Sequence, residues 1–594
     1  MTPSTCLIEE KRTHTPLSLY LGLTRYFVLA IVTWLAHFLH SGQFGLYEDD
    51  WNRIPKIVGI DWHDLSTLIG STFLSISGQG RPLHSACILF FSFVGFKCGG
   101  LKGIYGVAFL LLLTSTLLFQ SFLLRVTLDR RFSFLGALAF CVFPADTTQP
   151  FLTHALGVQP AIILLLLAFH CYLAGWIKTS YVVIALVLFT YETPFLVFAV
   201  APLLQPRPKR EIRNHWLIMA SLVLCVFAMR SLSAEARVSH VGVKDLLLGC
   251  LNVISGPLTC ISMYVYRPIT ALVGLTGQNA AIVIASSLVL ACIFAAPYLI
   301  GERTIQASKQ VGPSPGQHPV ANGRKQLLIG AYMLVLAYPL TLTTTGMAVA
   351  GRGTRAHTAA ILGASILCAW GCSLLLSRPV SRLGKCAAVL GVGCFYGLLV
   401  GSGLNVQHDY ALAWQEQRAF WTDLVALCPS LQDGDVIFVE PSGLRDTRQL
   451  LFLRKDLTGV PDTRQIKSLD ELYRVLPYLY DFPSEWKDPP RVFRLPLHWE
   501  GQIFADGDKL RPLTIEEGYA YDPGSRSPIE PSHVIFLDTN NGHLTRRNVL
   551  VDSQDGDALQ LKSDSVASSE IPKKPIYPYV ISPKDHAPVS YLVK

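Results

Sequence analysis

Apolar residues along the first two thirds of this chain collect in long runs separated by short polar and basic stretches, and that pattern stops near residue 402. A helix needs roughly 20 mostly apolar residues to cross the hydrocarbon of a bilayer. Runs of this kind fall at about 24–40, 103–124, 132–145, 158–176, 179–205, 215–233, 279–300, 326–345, 358–376 and 384–402. The run at 179–205 is interrupted by Tyr191-Glu192-Thr193-Pro194. A carboxylate and a proline are both costly in mid-membrane, so two shorter helices meeting at the outer face are predicted, for about eleven spans. The stretch 84–98 closes early with Lys97 and Gly99-Gly100 and predicts an interfacial or re-entrant helix. Residues 246–275, broken by Pro257, Arg267 and Pro268, are likewise not counted as a full span. The first span has no small-residue cleavage site and is followed by His37, His40 and Gln43, which predicts a signal anchor.

Beyond residue 402 the periodicity changes. A helical stretch at 411–428 carries Trp414, Phe420, Trp421 and Leu424 on one face. Val436-Ile437-Phe438-Val439 and Val534-Ile535-Phe536-Leu537 are short apolar runs suited to buried strands. Many Pro, Asp and Gly residues lie between and after them, and the end from about 553 is Ser/Asp/Pro-rich and expected to be poorly ordered. The predicted fold class is therefore mainly α: a polytopic transmembrane helical bundle over 1–402, followed by a soluble α/β or α+β domain over 403–594.

Composition agrees with this division. Charged residues make up 15% of the chain and hydrophobic ones 51%, where a soluble protein carries about 25% charged. Residues 1–402 hold 29 Lys+Arg against 14 Asp+Glu, while 403–594 hold 21 against 28. The net charge of +8 is thus a basic membrane part joined to a mildly acidic tail. No Lys/Arg block with interleaved aromatics occurs, so nucleic acid is excluded as a partner and the bilayer is expected instead. Basic residues flank cytoplasmic ends of spans. Placing the N-terminus, with Lys11 and Arg12, in the cytoplasm puts Arg125–Arg131, Lys178, Pro206–Arg213, Gly301–Lys325 and Arg378–Lys385 on the inside. The segment 41–102, the Glu192 turn, 346–357 and the tail then lie outside. Thirteen of the fourteen cysteines precede residue 402 without a CxxC or Cys/His ligand spacing, which predicts buried free thiols rather than disulfides or a zinc site.

The outer side by this reckoning gathers the candidate chemistry. Glu48-Asp49-Asp50-Trp51 follows the first span. Adjacent carboxylates disfavour one another's ionisation, so the group suits a general base or a divalent cation; a solvated acidic turn is the plainer alternative. Gly80-Arg81-Pro82-Leu83-His84 lies further along the same segment, Asp146 follows the third span with His154 nearby, and Glu192 sits at the broken span. Arg352, Arg355 and His357 share a later outer loop. Carboxylates and guanidiniums on one face can deprotonate an acceptor while gripping a phosphate, although interfacial anchoring also explains the arginines and buried packing also explains the histidines.

In order, spacing and sidedness, Glu48-Asp49-Asp50-Trp51, Gly80-Arg81-Pro82-Leu83, Asp146 and the Tyr191-Glu192 turn resemble the GT-C superfamily of membrane glycosyltransferases, in particular its bacterial polyprenyl-phosphate-sugar-dependent type. The resemblance covers roughly residues 20–402 in layout and four or five short motifs in sequence. It implies transfer of a sugar from a polyprenyl-phosphate donor to an extracytoplasmic glycan, lipid or protein acceptor, usually with inversion, in a bacterial inner (cytoplasmic) membrane. It also implies Asp49 or Asp50 as base, Asp146 as a second acidic site residue, and Arg81, Arg352 and Arg355 as holders of the donor phosphate. Trp51, His84, His154, Glu192 and His357 would support them. Glu48 does not belong to the family pattern and blurs which carboxylate is the base. A divalent cation, Mg or Mn, is undecided, because diphosphate donors often need one and monophosphate donors generally do not. Two other readings stand beside this one. A flippase or transporter of lipid-linked saccharides would show internal repeats and midplane charges, and neither is found. A non-catalytic envelope-assembly scaffold would tolerate replacement of Asp49 and Asp50.

Overall fold

The computed structural model describes residues 16–47, 49–74, 81–232, 243–274, 277–300, 319–341, 345–378, 381–439, 476–488, 490–494, 504–506, 509–511, 531–540, 543–551, 558–562 and 572–581. Glu48 of the acidic motif, the N-terminal Lys11 and Arg12, and the basic segment 301–318 lie outside the described residues. The helices are α1 (Pro16–His37), α2 (Asp50–Arg53), α3 (Trp62–Leu74), α4 (Pro82–Thr127), α5 (Arg130–Cys141), α6 (Leu152–Gly157), α7 (Gln159–Leu173), α8 (Ile177–Thr190), α9 (Lys209–Leu232), α10 (Val243–Val273), α11 (Gly277–Ile300), α12 (Pro319–Leu336), α13 (Ile361–Ser377), α14 (Arg382–Leu427), α15 (Leu476–Leu479) and α16 (Tyr577–Val580). Phe195–Leu203 and Gly351–Ala360 are 3-10 turns.

Six helices among the described residues are long and apolar enough to cross a membrane: Pro82–Thr127, Leu152–Leu173, Lys209–Ser231, Leu247–Val273, Gly351–Ser377 and Arg382–Leu427. The chain is an integral membrane protein, and its architecture is mainly helical. Several elements differ from the sequence expectation for physical reasons. The run at 132–145 forms α5, which has only 12 residues. At 1.5 Å per residue it reaches about 18 Å, short of the ~30 Å hydrocarbon core. Its residues from Phe132 to Cys141 are all buried, so it returns the chain along α4 to Pro150, whose carbonyl accepts from the Tyr105 hydroxyl at 3.0 Å, through protein rather than against lipid. The stretch 246–275, excluded as a span, is one helix that continues through Pro257 and Pro268. Neighbouring groups hold it in place: the Asn252 amide donates to Thr341 O at 2.8 Å and accepts from Gly346 N at 2.7 Å.

The stretch 84–98 closes at the predicted point. The helical angles of α4 fail at Gly99 and Gly100, with Gly100 at φ +59°. The two arms then fold back on each other: a Cβ at Gly103 would overlap the carbonyl of Gly95, and one at Gly95 the backbone of Ile104. Glycine alone permits that approach.

The predicted span 384–402 and the predicted helix 411–428 are one continuous element, the 46-residue α14, about 69 Å long. Its far end leaves the bundle and carries the tail. Trp414, Phe420, Trp421 and Leu424 are buried, as their spacing predicts. The strands β1 (Val436–Val439), β2 (Arg491–Arg494), β3 (Phe504–Asp506), β4 (Lys509–Arg511), β5 (Val534–Asn540), β6 (His543–Arg547), β7 (Val549–Val551) and β8 (Ala558–Gln560) follow. The main sheet has the order β2-β1-β5-β6. Here β1 lies parallel to β5, with Val436 opposite Val534, and β5 is antiparallel to β6. Both predicted strand cores, 436–439 and 534–537, are fully buried. The sheet is anchored to the end of α14, where the Arg546 guanidinium donates to Leu427 O at 3.0 Å. Beyond residue 553, expected to be poorly ordered, β8 forms and α16 packs on the bundle: Arg418 Nε donates to Val580 O at 3.3 Å, and the Tyr579 ring meets that of Phe96. The remainder, 563–571 and 582–594, lies outside the described residues.

Candidate active site

The segment between α1 and α3 is not a free loop. The Tyr47 hydroxyl donates to Tyr410 O of α14 at 2.8 Å, and the Trp51 indole N–H points to Gln417 Oε1 at 3.4 Å. Tyr47, Trp51, Tyr410 and Trp414 are all buried, and each such aromatic contributes on the order of 2–3 kcal/mol on burial. The Gly45 backbone lies against the Trp414 indole so closely that a Cβ there would overlap the ring. The acidic segment and the tail-bearing end of α14 are therefore at the same end of the bundle. Trp51 acts here as a packing anchor.

Two adjacent carboxylates have different surroundings. Asp50 has no exposed surface. Its carboxylate accepts from the backbone amides of Thr153 at 2.7 Å, Tyr47 at 3.2 Å and Leu152 at 3.3 Å. It thereby ties the acidic segment to the first turn of α6. Burial pushes its pKa up to about 7, against the opposing pull of the amides of Thr153, Tyr47 and Leu152. Asp49 turns outward, with its side chain 39% exposed, and pairs with the Arg352 guanidinium at 2.9 Å. Arg53, one helical turn further on, also feels the Asp49 charge.

Asp146 is buried in the α5–α6 connection. It accepts from the Thr148 hydroxyl at 2.6 Å and the Thr148 amide at 2.9 Å through one oxygen, and from the Thr358 hydroxyl at 2.8 Å through the other. Burial raises its pKa, and the Thr148 and Thr358 bonds oppose the rise. Thr354 braces the same connection by accepting from Thr147 N at 3.1 Å. His154 Nδ1 lies 3.2 Å from the Thr148 hydroxyl oxygen. Since that hydroxyl gives its proton to Asp146, the imidazole is the donor to it.

Arg81 and Glu192 form a two-pronged ion pair, with Arg81 Nε donating to Glu192 Oε2 at 2.7 Å. The guanidinium also sits over the Tyr191 ring, 4.6 Å from its centroid. Arg230 of α9 approaches the same carboxylate at 3.5 Å. The break in the 179–205 run thus holds a carboxylate that neutralises two arginines. His84 packs on Gly157, where a Cβ would overlap its ring, and Arg81, Arg53 and Glu192 are its charged neighbours. Arg355, Arg352 and Arg81 are those of His154.

Asp49, Asp50, Asp146, Arg81, Arg352, Arg355, His84, His154 and Glu192 therefore converge from five separate stretches of chain. His357 does not join them. Its Nε2 donates to Ala348 O at 2.8 Å and its Nδ1 accepts from the Tyr338 hydroxyl at 2.7 Å, so it locks the 345–360 turn from behind. Sequence reasoning missed Arg230, although a cation near the end of an apolar run is a readable signal. It also missed Arg53 and the threonines 148, 354 and 358, which carry no signal apart from the fold.

Among the described residues no group of three or more His, Cys, Asp or Glu side chains comes together as a metal site. Asp49 faces a guanidinium, Asp50 faces amides and Asp146 faces hydroxyls, a donor arrangement that does not fit a divalent cation. No protein-family model matches the chain, and no match to a characterised protein was found.

Proposed function

We propose that this chain is a membrane glycosyltransferase of the GT-C kind, with Asp49 as its general base. It moves a sugar from a polyprenyl-phosphate donor to an extracytoplasmic acceptor, with inversion. The observation that carries this reading is the division of labour between neighbours: Asp49 is accessible and held beside Arg352, whereas Asp50 is enclosed by three amides. The acceptor hydroxyl oxygen attacks the anomeric carbon as its proton passes to the Asp49 carboxylate. The bond from that carbon to the phosphate oxygen breaks, and the phosphate leaves with the electron pair. Arg352 and Arg355 stabilise the charge that builds on it, and Arg81 orients the donor from the Glu192 side. Asp146 acts by positioning, since its threonine bonds tie the α5–α6 connection to the turn that bears Arg355. This assignment places the acidic segment and the tail outside the cytoplasmic membrane, the N-terminus inside, and the span count near eleven.

The test is sugar transfer in membranes containing wild type, Asp49→Asn and Asp50→Asn, each supplied with a panel of radiolabelled polyprenyl-phosphate sugars. Transfer by wild type and its loss in Asp49→Asn, with donor binding retained, is the expected result. Donor bound and moved between leaflets without transfer by any form overturns the reading in favour of a flippase. Full transfer by Asp49→Asn overturns the assignment of the base.

A further inference from the structure

A concavity lies where the acidic segment and α3 meet the tail. It encloses about 560 Å³, and its walls come from both parts: Lys56, Ile60 and Leu68 on one side, Tyr478, Lys573 and Lys574 on the other. That volume falls within the ~300–1,000 Å³ of small-ligand sites. Three ammonium groups line it against two carboxylates, Asp64 and Asp481. Both carboxylates have local engagements: Asp64 caps the start of α3 together with Asp61, and Asp481 lies 3.7 Å from Lys574. Lys573 is held over the Tyr480 ring at 4.2 Å.

The cleft is joined electrically to the candidate base. Arg53 feels Asp49 on one side and Tyr478, a cleft residue, on the other. Lys56 lies at the cleft rim, where burial and then the neighbouring Arg53 charge lower its pKa. Like charges held this close are relieved by an anion between them. Among the described residues neither Arg53 nor Lys56 has an ion pair to supply that relief.

We infer that this cleft between the acidic segment and the tail is the acceptor subsite, and that it takes an acidic saccharide, one bearing carboxylate or phosphate groups. The inference rests on the transferase reading for the word acceptor, while the binding itself does not. It gives the tail a role, that of closing the far wall of the acceptor groove with Tyr478, Lys573 and Lys574. The sugar ring would lie against the Tyr478 and Ile60 walls, with its anionic groups toward Lys56 and Lys574. The attacking hydroxyl would then extend past Arg53 toward Asp49.

The experiment uses the full-length protein in lipid nanodiscs without donor. Binding is measured by calorimetry for three hexasaccharides, an oligogalacturonate, a phosphorylated maltohexaose and neutral maltohexaose, in wild type, Lys56→Glu, Lys574→Glu and Lys56→Arg. Acidic hexasaccharide bound at least 10-fold more tightly than the neutral one is expected, with a loss of at least 10-fold in each charge reversal and retention in Lys56→Arg. The first two ligands tell carboxylate from phosphate recognition. Equal affinity for neutral and acidic sugars, no binding of either, or unchanged affinity in both charge reversals overturns the inference. Thermal unfolding of each variant separates misfolding from lost binding, and Lys56→Arg remains informative if a reversal does not fold. Acidic sugar bound by this pattern, with no transfer from any donor, leaves the cleft standing and removes the transferase.

Discussion

Arg352 Nη2 lies 2.9 Å from Asp49 Oδ2, joining two residues 303 positions apart at the mouth of the candidate site. The guanidinium fixes one carboxylate oxygen while the side chain stays 39% exposed, which leaves it open to an approaching hydroxyl. In the proposed reaction the paired arginine would face the charge that builds on the leaving phosphate. Asp49→Asn removes the acceptor of the proton while keeping shape. Transfer should fall by about 10²–10⁴, the usual contribution of a general base, with the melting temperature nearly unchanged because the pair is more than a third exposed. Initial rates and thermal unfolding on one preparation check both halves.

Asp50→Asn should do the opposite. Its two carboxylate oxygens accept from three amides, whereas an asparagine offers one oxygen and turns an NH₂ toward amide donors. Leaving a buried donor without its acceptor costs roughly 1–3 kcal/mol. A clear fall in melting temperature is expected, and donor binding should persist in whatever fraction remains folded. A wild-type melting temperature in Asp50→Asn contradicts the enclosure of this carboxylate.

Much of this arrangement is legible in the sequence, and the rest is not for identifiable reasons. The Trp414, Phe420, Trp421 and Leu424 face is helically periodic and the strands at 436–439 and 534–537 are unbroken apolar runs, and both signals survive folding. Span reading goes astray at 246–275, and misses how short and enclosed the helix at 132–145 is, because an apolar run reports only that water is excluded. It does not say whether lipid or protein excludes it, nor whether a neighbour such as Asn252 will steady a proline-bearing helix. The string Asp49-Asp50 reads as one acidic motif, yet the fold gives each member a separate task. Which of the two meets the amides of α6 depends on the docking of Trp51 and Tyr47 against α14, a contact 363 positions away in the chain. His357 shows the same limit in reverse, since nothing local distinguishes a site histidine from one that locks a turn.

The pH dependence of stability carries the signature of Asp50. Its folded pKa is raised from 3.8 to about 7, so the fold favours the protonated form. The associated stability is fully present below about pH 4 and is lost as pH rises through about 7. Asp146, also raised by burial, adds a change of the same sign. Between pH 4 and 7 the melting temperature of wild type should therefore fall more than that of Asp50→Asn. Equal slopes would show that Asp50 is ionised throughout.

Glu192 offers the sharpest contrast between a supporting and a reacting group. It is 17% exposed and is the shared counter-charge of Arg81 and Arg230, themselves 13% and 10% exposed. Breaking a buried pair by removing one partner typically costs about 3–5 kcal/mol, because the remaining charge is left without compensation. Glu192→Ala should consequently destabilise the protein far more than Asp49→Asn does. A polyprenyl-phosphate sugar binding at Arg81 would restore a negative charge beside the two guanidiniums. The melting temperature of Glu192→Ala should thus rise on donor addition by more than that of wild type. An equal rise in both proteins would place the donor phosphate away from Arg81 and confine that arginine to holding the broken helix together.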